Sequence, residues 1–265
     1  MPNLFNLHGK TAIVTGGCGL LGKVFCEALA EFGANIAVVD LAQEPAQALA
    51  DELLHEYGVF THGFSCDVAD SIKVHKLIPA IFKKLGPVQI LLNNAATKTY
   101  SLPDFFKPFE DYTLKTWREV MSVNLDGMFL MAQAVGRQMV KQQTGGSIIQ
   151  TSSIYGLMAP DFRIYQDSNL HSPAVYSASK AGVIGLTRYL AAYYAPHKIR
   201  VNTLSPGGVN DGQNEQFRKN YAYRVPLGRL AEKEELIGPL IYLASDASSY
   251  VTGQNIIVDG GLSVW

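Results

Sequence analysis

At 265 residues, with 48% hydrophobic and 17% charged residues and a formal net charge of -1, the sequence describes a globular chain able to bury one large core. Its balanced charge and lack of basic runs argue against nucleic acid or an anionic membrane as partner. Cys18, Cys26 and Cys66 are odd in number and lack metal-ligand spacing, so they read as reduced packing residues, with no metal site expected. The stretch Met1 to Leu7 is too short and polar for a signal peptide, and no apolar run approaches the roughly 18 residues that span a bilayer. A cytoplasmic location is the expectation.

From Lys10 onward, short apolar runs alternate with longer helical patterns. Strands are expected at Thr11 to Thr15, Asn35 to Asp40, Thr61 to Cys66, Val88 to Asn93, Ser147 to Ser152, Arg200 to Leu204 and Asn255 to Val258. Helices are expected at Leu20 to Phe32, Pro45 to Tyr57, Ser71 to Leu85, Thr113 to Lys141, Ala174 to Tyr194 and Glu232 to Ala244. This is the pattern of βαβ units, so the fold class is α/β: one domain over 1-265, with a doubly wound seven-stranded parallel sheet and helices on both faces. Thr97 to Tyr112, Tyr155 to Ser172 and Gly207 to Arg224 are irregular and each follows a strand. Such loops gather at the carboxyl edge of a parallel sheet, where ligands bind.

Thr15-Gly16-Gly17-Cys18-Gly19-Leu20-Leu21-Gly22 falls where the first strand turns into the first helix. Glycines there permit a tight turn and let the backbone approach a pyrophosphate at the positive helix end. Asp40 ends the second strand 18 residues after Gly22, a spacing suited to a carboxylate that binds an adenosine ribose. Capping of the next turn is the competing reading. Leu41 and Ala42 bring no positive charge for a 2′-phosphate, and Asp40 would repel one, so NAD is favoured over NADP. Asp67 and Val68 follow the third strand, where Asp67 either approaches the adenine amino group or caps the helix starting near Ser71. Asn93-Asn94-Ala95-Ala96 ends the fourth strand with small residues that admit a dinucleotide, and the Asn pair also suits a turn held by side-chain to backbone bonds.

Pro173-Ala174-Val175-Tyr176-Ser177-Ala178-Ser179-Lys180 reads as the opening of a helix, with Ser172 able to cap it and Pro173 suited to its first position. Tyr176 and Lys180 are four residues apart and share a helix face, where an ammonium can stabilise a phenolate. The same spacing occurs at Tyr194 and Lys198, but Pro196 interrupts that copy, which reads as a helix end.

The ordered set Thr15-Gly16 to Gly22, Asp67-Val68, Asn93-Asn94-Ala95, Asn124, Ser153, Tyr176 to Lys180, Pro206-Gly207 and Asp259-Gly260-Gly261 resembles the short-chain dehydrogenase/reductase family over nearly the whole chain. The resemblance implies a Rossmann fold and a catalytic set of Asn124, Ser153, Tyr176 and Lys180, with Ser153 preferred to its neighbour Ser152. It implies that Tyr176 exchanges the proton, Lys180 supports it and holds the nicotinamide ribose, Ser153 binds the reacting oxygen and Asn124 anchors a water. Cofactor contacts are implied at Gly16, Gly19, Leu20, Leu21, Gly22, Asp40, Asp67, Val68, Asn94, Ala95, Ala96, Tyr176, Lys180, Pro206, Gly207 and Val209, together with assembly as a homodimer or homotetramer. Trp265 and Tyr242-Leu243-Ala244 are compatible with such contacts or with a core.

The chain also departs from the pattern. Glycines at 16, 19 and 22 follow the spacing of longer sugar-nucleotide epimerases and dehydratases, whereas the end at Trp265 favours the compact branch. Ser153 and Tyr176 are 23 positions apart, which places an insertion of about ten residues within Met158 to Ser172. Pro160-Asp161-Phe162-Arg163-Ile164-Tyr165 in that segment suits a pocket for a hydroxylated substrate, or else a surface or subunit contact. After Pro206-Gly207 the run Gly208-Val209-Asn210-Asp211 lacks the Thr that often contacts the nicotinamide amide. With Ser153-Ile154-Tyr155-Gly156 and Ala159-Pro160-Asp161-Phe162, it is similar to a bacterial subgroup associated with flagellin and surface-polysaccharide modification. The expected activity is an NAD-dependent interconversion of a secondary alcohol and a ketone on a sugar or amino-sugar derivative. An NAD-retaining epimerase or dehydratase, and a non-catalytic nucleotide sensor, stay open.

Overall fold

The computed structural model describes residues 3–99, 101–167 and 171–265. Met1, Pro2, Tyr100 and residues 168–170, which belong to the amino terminus and to two of the stretches read above as irregular, lie outside the described residues.

Seven parallel strands form one sheet in the order β3-β2-β1-β4-β5-β6-β7. They are β1 Thr11–Thr15, β2 Asn35–Asp40, β3 Thr61–Ser65, β4 Ile90–Asn93, β5 Gly146–Thr151, β6 Ile199–Pro206 and β7 Asn255–Val258. The order reverses between β1 and β4, whose pairing sets Val14 opposite Leu92. A crevice therefore opens at the carboxyl ends of these two strands, the usual ligand position in a doubly wound sheet.

The helices are α1 Leu20–Glu31, α2 Gln43–Tyr57, α3 Ser71–Leu85, α4 Leu102–Phe105, α5 Leu114–Met121, α6 Met128–Gln142, α7 Ala174–Tyr194, α8 Glu215–Arg224 and α9 Ile237–Ala244. Strand side chains alternate between faces and so divide the core in two. Ala12, Val14, Ile36 and Val38 pack with α1, α2 and α9 through Phe25, Leu49 and Ile241. Ile13, Ala37 and Val39 pack with α3, α6 and α7 through Ile81, Met131 and Leu190. Burial on both faces explains why these strands read as continuous apolar runs.

Several expectations need correction. The long helix expected over Thr113 to Lys141 is α5, a π turn at Ser122–Gly127 and α6. Buried Asn124 lies in that wider turn, with its side-chain oxygen accepting the Thr97 N–H at 2.8 Å. The stretch Gly207 to Arg224, read as irregular, contains α8, capped by Asn214 accepting from the Phe217 N–H. The helix expected from Glu232 starts as a tight turn at Lys233–Leu236 before α9. Pro173 occupies the cap position of α7, with no side-chain cap bond, so the Ser172 cap is not formed. Asp70, not Asp67, caps α3, accepting from Ile72 and Lys73, an arrangement worth about 1 kcal/mol. Leu243 and Ala244 are core, Tyr242 packs against that core, and Trp265 is exposed.

Candidate active site

The loop between β1 and α1 is shaped by contacts that only glycine allows. Gly16 has φ +64, and a Cβ on it would lie 2.9 Å from the Ala95 Cα. A Cβ on Gly22 would lie 1.9 Å from the Gly16 carbonyl oxygen, so the loop folds directly onto the first turn of α1. Gly19 caps α1 without a side chain and Leu20 is exposed, which leaves the helix N-terminus open to an anion. The end of β4 is tied to this loop, since Thr15 Oγ1 accepts from the Asn94 and Ala95 backbone N–H groups at 2.9 and 3.0 Å. Asn93 is structural: its amide donates to the Met128 carbonyl and to Gln150. Ala96 is exposed beside them.

Asp40 stands at the end of β2, its Oδ2 accepting from the Cys18 N–H and its Oδ1 from the Leu41 N–H, both at 2.8 Å. Its carboxylate is thereby aimed at the loop, and with burial it pushes the Cys18 thiol up to about 11. Asp67 turns back on the Ala69 N–H, while Val68 packs where Gly127 leaves room. The predicted residues from Gly16 to Ala96 thus line one edge of the sheet on both sides of the crevice. Pro206 ends β6 and Gly207 follows it, donating to the Val258 carbonyl, and Val209 bridges to Ala231. Asp211 is exposed, with its N–H on the side chain of Gln213.

The second cluster forms where β5 ends against α7. Lys180 is 2% exposed and donates to the Thr151 carbonyl at 2.9 Å. Its Nζ lies 5.9 Å from the centre of the Tyr176 ring. Burial lowers the Lys180 pKa to about 8. Burial also raises the Tyr176 phenol above its ordinary value, opposed by Ser153, which lies within reach of its hydroxyl. Ser153 also accepts the Tyr155 N–H, whereas the Ser152 hydroxyl is turned away onto the Lys180 carbonyl at 2.8 Å. Of the two adjacent serines, only Ser153 is set toward Tyr176. The Asn124 side chain is held by the Thr97 backbone in the loop after β4, accepting its N–H at 2.8 Å and donating to its carbonyl at 3.4 Å. Tyr194 and Lys198 diverge at the end of α7, where Tyr194 enters the core and Lys198 adopts φ +58.

The insertion contributes a wall that its sequence only hinted at. Asp161 caps a turn at Phe162–Tyr165 and lies 2.7 Å from the Arg224 Nε of α8. The Ile164 side chain packs with Phe217 and Tyr221, and Tyr221 accepts a short hydrogen bond from the Gly208 N–H. Tyr165 lies in the run read above as suiting a substrate pocket, whereas Tyr155 and Tyr221 were not singled out for that wall. The aromatic density of the insertion marked Tyr165, and nothing in the sequence marked Tyr221. Pro160 and Phe162 also border a cavity of about 420 Å³ with Tyr112 and Ser177.

A family profile described as enoyl-(acyl carrier protein) reductase matches residues 20–263. The D-threitol dehydrogenase of Mycolicibacterium smegmatis is 35% identical over 268 residues, covering 98% of this chain and 95% of that protein. The chain belongs to the short-chain dehydrogenase/reductase family. Family structures superpose along nearly its whole length. A short chain dehydrogenase from Leptospira borgpetersenii with bound NAD+ is 33% identical with a TM-score of 0.87, covering 100% of this chain and 97% of that one. A gluconate 5-dehydrogenase from Burkholderia cenocepacia, in complex with NADP and tartrate, is 32% identical with a TM-score of 0.89, covering 99% and 98%. The sequence resemblance to the short-chain dehydrogenases, and the α/β sheet it implied, are therefore borne out.

Proposed function

We propose that this dehydrogenase interconverts a secondary alcohol and a ketone on a polyol, sugar or amino-sugar derivative, with NAD as the preferred cofactor. The observation that carries the reading is the buried Lys180 ammonium 5.9 Å from the Tyr176 ring, beside Ser153. A phenol with pKa about 10 is a poor base at neutral pH, and burial alone makes Tyr176 poorer. Lys180 supplies the field that favours its phenolate, with no ion pair to a carboxylate among the described residues. In oxidation Tyr176 takes the hydroxyl proton of the alcohol, and in reduction it returns a proton to the new oxygen. Ser153 holds that oxygen. Asn124 is a positioning residue, since its side chain is engaged with the Thr97 backbone and keeps the loop after β4 in place.

The open N-terminus of α1 and the glycine loop fit a pyrophosphate, because a Cβ at Gly22 would fill the space the loop needs. When bound, the nicotinamide supplies or accepts the hydride. Asp40 retains lone pairs for a ribose hydroxyl and repels a 2′-phosphate, which favours NAD even though relatives are found with either dinucleotide. The D-threitol dehydrogenase and gluconate 5-dehydrogenase relatives support a polyhydroxylated substrate, and the insertion near 155-172 is the segment we assign to choosing it. A homodimer or homotetramer would use the exposed small residues of α7, such as Ala178, Ala181 and Gly185.

The test is NADH appearance on adding NAD with D-threitol, D-arabinitol or gluconate, and NADH loss on adding NADH with keto-sugars in the reverse direction. Stoichiometric NADH formation supports the reading. Product formation with no net NADH would instead favour an epimerase or dehydratase.

A further inference from the structure

We infer that Tyr155 and Tyr165 act as a paired-phenol element that recognises the hydroxyl next to the reacting carbon, with Tyr155 touching substrate and Tyr165 positioning it. The inference rests on the alcohol–ketone reading of Ser153 and Tyr176.

Tyr155 is anchored at both ends. Its backbone N–H donates to Ser153 Oγ at 3.2 Å, which fixes its root beside the group assigned to the reacting oxygen. Its hydroxyl meets the Tyr165 hydroxyl at 2.8 Å. Both phenols are close enough to Tyr176 for its charge state to act on theirs. The Tyr155 bond to Ser153 Oγ sets the root of the pair beside the serine that lies within reach of the Tyr176 hydroxyl. Tyr165 donates in this bond, so the Tyr155 hydroxyl proton is not used in it. Tyr155 has Tyr165 as its one hydrogen-bond partner at the hydroxyl among the described residues, so it keeps capacity for an incoming group. Burial pushes the Tyr155 phenol far above the usual phenol range, so it serves as a neutral hydrogen-bonding group and does not compete with Tyr176 as a base.

Tyr165 is held in place from both sides along the chain. The Asn220 side chain of α8 donates to the carbonyls of Ile164 and Gln166, at 3.2 and 3.0 Å, straddling it. The ring centre lies 5.6 Å from that of Phe217, and Ile164 is 1% exposed. Asp161, four residues upstream, contacts both Arg163 and Arg224. A hydroxyl fixed this firmly on an added segment has a defined direction, which is what recognition of one substrate hydroxyl requires.

The matched probes are vicinal cyclohexanediol and cyclohexanol, oxidised by the full chain with saturating NAD. Tyr155→Phe should raise KM for the diol about tenfold, the worth of one neutral hydrogen bond, with kcat and all cyclohexanol kinetics little changed. Tyr165→Phe keeps the ring against Phe217 and should raise the diol KM less, by about threefold. Unchanged diol kinetics in Tyr155→Phe, equal losses on both alcohols, or a wild type that does not prefer the diol would overturn the inference while leaving the alcohol–ketone reading intact. Absence of hydride transfer from either alcohol would count against the parent reading instead. In that event, calorimetric titration of the diol into the NAD-loaded protein decides the inference, and equal affinity in wild type and Tyr155→Phe overturns it. Thermal melts matching wild type confirm that both variants fold.

Discussion

Replacing Lys180 with methionine should stabilise the cofactor-free protein at neutral pH while abolishing turnover. The ammonium is 2% exposed, bonded to the Thr151 carbonyl at 2.9 Å and unpaired with any carboxylate among the described residues, and burial lowers its pKa from 10.5 to about 8. An unfolded chain keeps this proton up to 10.5, whereas the folded chain releases it near 8. Between those values the unfolded state binds more protons, so stability rises with pH there, and below 8 the full cost is present. The gap of about 2.5 units corresponds to about 3 kcal/mol. Methionine removes that cost but loses the bond to Thr151, worth about 1 kcal/mol. The net gain at pH 7 is then about 2 kcal/mol, shrinking steadily from pH 8 and becoming a small loss near pH 10.5. Tyr176, whose pKa is raised, acts in the opposite sense and only as pH passes the ordinary phenol value of 10, so it leaves most of this window clear. Urea unfolding of wild type and Lys180→Met at pH 7, 8, 9 and 10 measures the difference directly. A variant less stable than wild type at pH 7, or a difference that does not vary with pH, would refute the reasoning.

Two further substitutions address the nucleotide end. Asp40→Ala should lower the preference for NAD over NADP by on the order of 100-fold in kcat/KM, since it removes a carboxylate that rejects the 2′-phosphate; an unchanged ratio would remove Asp40 from the cofactor argument. Gly22→Ala drives a methyl to 1.9 Å from the Gly16 carbonyl, a backbone group that cannot yield without opening the loop. A stability loss of about 3 kcal/mol with weakened NADH binding is expected, and a melting temperature within about a degree of wild type would contradict the loop geometry.

The sheet was legible because strands such as β1 and β2 pair an apolar run with a following helical pattern. Thr11–Thr15 and Asn35–Asp40 matched their expected bounds, as did the helices Ser71–Leu85 and Ala174–Tyr194. The π turn at Ser122–Gly127 was hidden because it responds to a distant partner, the Thr97 backbone, and leaves the helical pattern on either side intact. Helix α8 was hidden for a different reason: its polar Glu215–Arg224 segment buries only Phe217 and Tyr221, too few for a visible stripe. In the candidate site, the Tyr176 and Lys180 spacing was visible, but a second copy shared it, and position after β5 separates the two. The choice of Ser153 over Ser152 came from family resemblance, and hydrogen bonding supplies its physical basis, because Ser152 is committed to the Lys180 carbonyl. Tyr155 and Tyr165 are ten residues apart and meet only when the insertion folds back onto α8, a tertiary fact that local pattern does not carry.

The central claim is that Tyr176 exchanges the substrate proton. It is tested most directly by single-turnover NADH formation from the best polyol with Tyr176→Phe, alongside NADH affinity measured by fluorescence. The account predicts a rate loss of about a thousandfold or more with dinucleotide affinity changed only a few-fold, as for removal of a positioned general acid-base. Turnover near the wild-type rate would contradict it.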